Sequence, residues 1–154
     1  MPVKQSLFAL ANYLLLAFIF FLGISLLRFV IEVVPSNESL LPLLPSISSF
    51  IIMIINCLFN LIIFHRKLPD RSISKQTIHL YFISWICFII SLIIISFILF
   101  SSYNDELKET PDGNFAYVIL FLSFLFLITG LIIAINQFNI IKYLKLNQKK
   151  NTEE

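Results

Sequence analysis

The chain has 154 residues, of which 58% are hydrophobic and 13% are charged, with a net charge of +2 at pH 7. Soluble domains carry about 25% charged residues, so this composition excludes an ordinary soluble globular protein. The basic residues lie in short segments next to apolar blocks and are not interleaved with aromatic residues, so we do not expect nucleic-acid binding.

Four apolar blocks, at about 5–34, 46–65, 77–101 and 114–141, each reach the roughly 20 residues that a helix needs to cross a bilayer. We therefore predict an all-α integral membrane four-helix bundle, built from two antiparallel transmembrane hairpins. Little sequence remains outside the blocks, so residues 1–154 form one membrane domain with a cytoplasmic tail at 142–154. The first block is too long for a signal-peptide core and is interpreted as a retained span.

The first predicted helix carries Asn12 and Gly23, which lie about three turns apart and therefore share a face. Near its end Arg28 and Glu32 lie four positions apart. Residues 5–27 alone give roughly 34 Å of helix, so we interpret Arg28 and Glu32 as an ion pair at the membrane surface. The alternative is an interfacial site that faces acidic residues of the third connection.

The other three predicted helices also each place polar or small residues on one face. These residues are Asn56 and Asn60 in the second helix, Ser84, Cys87 and Ser91 in the third, and Ser123, Gly130 and Ala134 in the fourth. Membrane helices associate through close packing of small residues and through polar side chains, so we expect these faces to point at one another. We predict an Asn60–Ser84 hydrogen bond. The alternative is that Asn56 and Asn60 line a polar path or a ligand pocket.

The Lys and Arg residues alternate between the connections, which sets the orientation. The N-terminus, the connection at about 65–76 and the C-terminal tail are basic, whereas the first connection and the third, "SSYNDELKETPDGN", are acidic. By the positive-inside rule both termini are cytoplasmic. The third connection is predicted as an outer loop. Tyr81, Trp85 and Tyr143 are expected in the inner interfacial aromatic belt.

No catalytic, cofactor-binding or metal-binding motif occurs in the sequence, and we do not expect an enzyme. Cys57 and Cys87 are interpreted as small apolar residues within spans. The expected role is that of an accessory, assembly or immunity-type protein that contacts a membrane partner. The alternative is an oligomeric transporter or channel for a small solute. The bias toward Ile, Leu, Phe, Asn and Lys is typical of an AT-rich bacterial genome, so we expect a bacterial inner membrane.

Overall fold

In the computed structural model, residues 2–33, 43–65, 74–109 and 114–153 are described. These residues form helices and, within the described ranges, no strand. The helices are α1 (Pro2–Val33), α2 (Leu44–His65), α3 (Lys75–Glu109) and α4 (Asn114–Glu153). All four are long and apolar enough to cross a membrane, which confirms the predicted all-α architecture.

The four helices pack in a ring, in which α1 contacts α2, α2 contacts α3, α3 contacts α4, and α4 closes on α1. Hydrogen bonds give the directions of neighbouring helices. Asn60 and Tyr81 are bonded, as are Asn56 and Ser84, so α2 and α3 are antiparallel. Ser84 is in turn bonded to Gln137, and Leu92, eight residues later on α3, lies against Gly130, seven residues earlier on α4. The helices α3 and α4 are therefore antiparallel as well.

The interior of the ring is filled by large apolar side chains from every helix. Fully buried examples are Leu15, Ile19, Met53, Phe88, Ile95 and Ile133. Equally large apolar residues face outward, since Phe97 is 72% exposed and Phe124 is 64% exposed. Between 28% and 39% of the residues in the most apolar stretch of each helix are buried inside the bundle. Such an outer surface suits hydrocarbon rather than water.

Two helices continue past the predicted membrane spans. Helix α3 continues to Glu109, so the segment 101–109, predicted as the start of an outer loop, is helical. No proline or glycine occurs in α3, and an i,i+3 pair of Lys108 with Asp105 at 3.6 Å lies in its last turns. Helix α4 continues past the predicted span at 114–141 to Glu153, because no helix-breaking residue follows Gly130.

Candidate functional site: a buried polar cluster

Six polar side chains from all four helices meet inside the bundle. They are Asn12 of α1, Asn56 and Asn60 of α2, Tyr81 and Ser84 of α3, and Gln137 of α4, and we call them the polar cluster. Five of the six are at most 3% exposed, and Ser84 is half-buried. Buried polar groups are costly unless they find hydrogen-bond partners, so their pairing decides what the cluster contributes.

Asn60 bonds to three different side chains of the cluster. Its Nδ2 donates to Asn56 Oδ1 at 3.0 Å and, more weakly, to Asn12 Oδ1 at 3.4 Å. Its Oδ1 accepts from the Tyr81 hydroxyl at 2.9 Å. Asn12 in turn donates to the Phe8 carbonyl of its own helix at 2.8 Å. One side chain therefore joins α1, α2 and α3.

Ser84 extends these contacts toward α4. Asn56 Nδ2 donates to the Ser84 carbonyl at 3.2 Å and also to the Ser84 hydroxyl. Gln137 Nε2 donates to the same hydroxyl at 3.4 Å. One turn earlier on α4, the Ala134 carbonyl accepts from Trp85 Nε1 at 3.1 Å. The polar cluster thus crosses every helix of the ring.

One atom of the cluster has no partner. Gln137 is 0% exposed, and its Oε1 accepts no hydrogen bond. A buried acceptor without a donor costs about 1–3 kcal/mol relative to a satisfied one. Among the described residues, Gln137 Oε1 is the one buried side-chain nitrogen or oxygen atom without a hydrogen-bond partner.

The cluster lies toward one end of the bundle rather than at its middle. Asn60 is five residues from the end of α2, and Tyr81 is six residues from the start of α3. At 1.5 Å per residue these separations correspond to about 8–9 Å along the helix axis. The cluster is therefore near the end at which α1 begins, α2 ends and α3 begins.

The structure brings together four of the residues that the sequence singled out: Asn12, Asn56, Asn60 and Ser84. Their pairing differs from the predicted one. Ser84 is bonded to Asn56, whereas Asn60 is bonded to Tyr81, Asn56 and Asn12. The reason is the antiparallel register, which places Asn60 beside Tyr81 and Asn56, one turn earlier on α2, beside Ser84.

Most of the remaining predicted face residues lie elsewhere in the bundle. Ser91 and Ala134 are buried, while Cys87 and Ser123 are half-buried, and Ser123 donates to the Ile119 carbonyl of its own helix. Cys57 is buried in the apolar core.

The two glycines of the predicted faces have different surroundings. A Cβ built on Gly130 would collide with the Leu92 side chain, with Cδ2 at 3.2 Å and Cδ1 closer still. A Cβ on Gly23 would meet nothing within 4 Å. The Leu92 side chain therefore packs directly on the α4 backbone at Gly130, whereas Gly23 has no such contact.

Sequence reasoning missed the role of Tyr81. It placed this residue in an interfacial aromatic belt, which is wrong, because Tyr81 is 1% exposed and bonded to Asn60. A signal was present in the sequence, since Tyr81 lies three residues before Ser84 and therefore on the same helix face as that predicted polar residue. Gln137 lies seven residues after Gly130, on the same face of the fourth helix, but is not among the residues singled out from the sequence.

Only one member of the predicted ion pair, Arg28, has a described side chain. Arg28 lies near the end of α1 and is exposed. The Glu32 side chain, with which it was predicted to pair, lies outside the described part of the chain, as do connections 34–42 and 66–73.

The chemistry available to the cluster is that of neutral hydrogen bonding. Amides, a hydroxyl and a phenol can donate to and accept from a neutral polar group or from one another. Across the described residues no group of three or more His, Cys, Asp or Glu side chains is placed to hold a metal ion. No protein-family model, curated protein or solved structure matches this chain.

Proposed function

We propose that this chain is a multi-pass protein of the bacterial inner membrane that acts by contact between its outer helix surface and another membrane protein. The observation that carries the proposal is the polar cluster. Its side chains bond mainly to one another across four helices, which favours one fixed arrangement of the bundle. A fixed bundle presents a constant outer surface to its neighbours.

The orientation is part of the same proposal. Lys75, Lys142 and Lys145 lie on the end of the bundle nearer the polar cluster, whereas Asp105 and Glu106 lie on the opposite end. By the positive-inside rule the basic end is cytoplasmic, and with it both termini. The orientation is tested with Lys75→Cys and Asp105→Cys, each in a Cys57→Ala/Cys87→Ala background, and a membrane-impermeant maleimide. In intact cells we expect labelling of Asp105→Cys only. Labelling of Lys75→Cys in intact cells would contradict the proposed orientation.

Photocrosslinking in native membranes tests the contact directly. A photoreactive amino acid replaces one exposed residue on each helix, Phe21, Ile55, Phe97 or Phe124, which are 62%, 61%, 72% and 64% exposed. A contact protein gives one discrete adduct from one or two adjacent faces and only lipid adducts from the others. Each face serves as the control for the rest. Lipid adducts alone from all four positions would contradict the proposal.

Gln137 Oε1 favours a second candidate, the oligomeric transporter of a small neutral solute. A buried acceptor without a donor is the kind of group that a neutral polar solute would satisfy. In this case the adducts from the four positions are homo-oligomers of the chain itself. Solute flux in liposomes containing the purified chain would then be lost in Gln137→Met.

A further inference from the structure

A groove lies between α3 and α4 on the same side of the bundle as the polar cluster, where α4 continues beyond the start of α3. Its volume is about 320 Å³. Apolar residues form its floor: Phe82 of α3 and Phe138, Ile141 and Leu146 of α4. Lys142, Lys145 and Lys149 line it as well.

The aromatic side of the groove is a continuous packed surface. Phe82 stacks on Trp85 with ring centroids 6.0 Å apart, and Trp85 packs on Phe138 at 5.4 Å. Lys145 Nζ lies 5.3 Å from the centroid of the Phe82 ring, which is within the range of a cation–π contact. That contact keeps one cation over the apolar floor instead of directed away from it.

Lys142 and Lys145 have no acidic residue within two turns of them on α4. Helix α3 has no Asp or Glu before Asp105, and α4 has none before Glu153. Like charges at i,i+4, such as Lys145 and Lys149, destabilise a helix. The helix dipole favours cations in the last turn only, so it accounts for neither Lys142 nor Lys145, which lie eight or more residues before the end of α4.

We propose that this groove binds one anionic phospholipid. The lipid phosphate is held by Lys142 and Lys145, and an acyl chain runs toward the bilayer interior along Phe82 and Phe138. Charge complementarity selects the headgroup. The groove is continuous with the apolar outer surface of the bundle, because Phe138 and Leu146 are 48% and 57% exposed and belong to that surface. A lipid therefore fits the groove better than a soluble anion. This lipid site does not require a partner protein.

Native mass spectrometry of the full chain in neutral detergent tests the site. The chain is titrated with phosphatidylglycerol or phosphatidylcholine, and bound lipids are counted. We expect the first phosphatidylglycerol to bind more tightly than phosphatidylcholine, and Lys145→Met to weaken it about fivefold, the effect of one lysine near an anionic headgroup. The matched control is Lys75→Met, which removes one exposed lysine from the same end but outside the groove.

Three results would overturn the proposal. Equal weakening by Lys75→Met would indicate general surface charge rather than a groove. Equal retention of the two lipids would show no headgroup selection. Displacement of phosphatidylglycerol by millimolar inorganic phosphate would indicate a simple anion site. Because Lys145→Met could alter packing through Phe82, its melting temperature is compared with that of Lys75→Met, and Lys142→Met provides a second groove variant without that ring contact.

Discussion

The two halves of the bundle hold their helices together in different ways. In the half with the polar cluster, amides and hydroxyls bond across helices. In the other half, Ser96 and Ser123 donate to carbonyls of their own helices, at 2.6 Å and 2.7 Å, and the helices meet through apolar side chains. The longer side chains of asparagine, glutamine and tyrosine can reach a neighbouring helix, whereas serine in a span more often bonds to its own backbone. Length alone does not decide the partner, since Asn136 donates to the Ile132 carbonyl of its own helix.

The largest expected effect comes from removing the centre of the cluster. Asn56→Leu/Asn60→Leu deletes the bonds that join α1, α2 and α3 and leaves the Tyr81 hydroxyl buried without its acceptor. We expect the free energy of unfolding in mild detergent to fall by about 1–3 kcal/mol. Unfolding is followed by the fluorescence of Trp85, which is the only tryptophan in the sequence.

The matched control removes two hydroxyls from the other half. Ser96→Ala/Ser123→Ala loses only hydrogen bonds within a helix, and we expect a change within about 0.5 kcal/mol. If both double variants lower stability equally, the two halves do not differ in the way that their hydrogen bonds indicate.

The next effect tests close packing between α3 and α4 outside the polar cluster. Gly130→Ala places a methyl group against the Leu92 side chain, and overpacking costs about 1–3 kcal/mol, partly offset by about 0.5–1 kcal/mol for replacing glycine in a helix. We expect a net loss of about 0.5–2 kcal/mol, measured as the shift in the unfolding midpoint. Gly23→Ala, where the added methyl meets nothing within 4 Å, is the control and should be neutral or stabilising.

A second substitution connects this loss to its cause. Gly130→Ala combined with Leu92→Val relieves the collision, so the double variant should lose less stability than the sum of the two single variants. Simple additivity would place the origin of the Gly130→Ala effect somewhere other than Leu92.

The sequence predicted the helical architecture because runs of about 20 apolar residues have few other stable solutions. It also identified Asn12, Asn56, Asn60 and Ser84 as inward-facing candidates, since asparagine inside a span is rarely left toward lipid. It did not predict which pairs form, because pairing depends on the register between helices. A shift of one turn moves a side chain by 5.4 Å, which is enough to exchange Asn60 for Asn56 as the partner of Ser84.

Gln137 provides a smaller effect with the opposite sign. Gln137→Met keeps the length of the side chain and removes the buried acceptor, at the loss of one long hydrogen bond to Ser84. We expect the unfolding midpoint to stay unchanged or rise, because relief of the unpartnered Oε1 offsets the lost bond. A fall of more than about 1 kcal/mol would mean that Oε1 has a partner in the membrane and that the cluster extends further than six residues.

The smallest effect is expected at Arg28. Its side chain is exposed near the end of α1, far along the helix from Asn12, so its charge faces the surface of the bundle rather than the cluster. Arg28→Gln should change the free energy of unfolding by less than about 0.5 kcal/mol, compared with the Asn56→Leu/Asn60→Leu variant in the same assay. Arg28→Gln could instead abolish the crosslinked adduct from Phe21 while the free energy of unfolding stays unchanged. In that case the Arg28 charge belongs to the surface that contacts the partner, and the end of α1, rather than the end with the polar cluster, determines partner recognition.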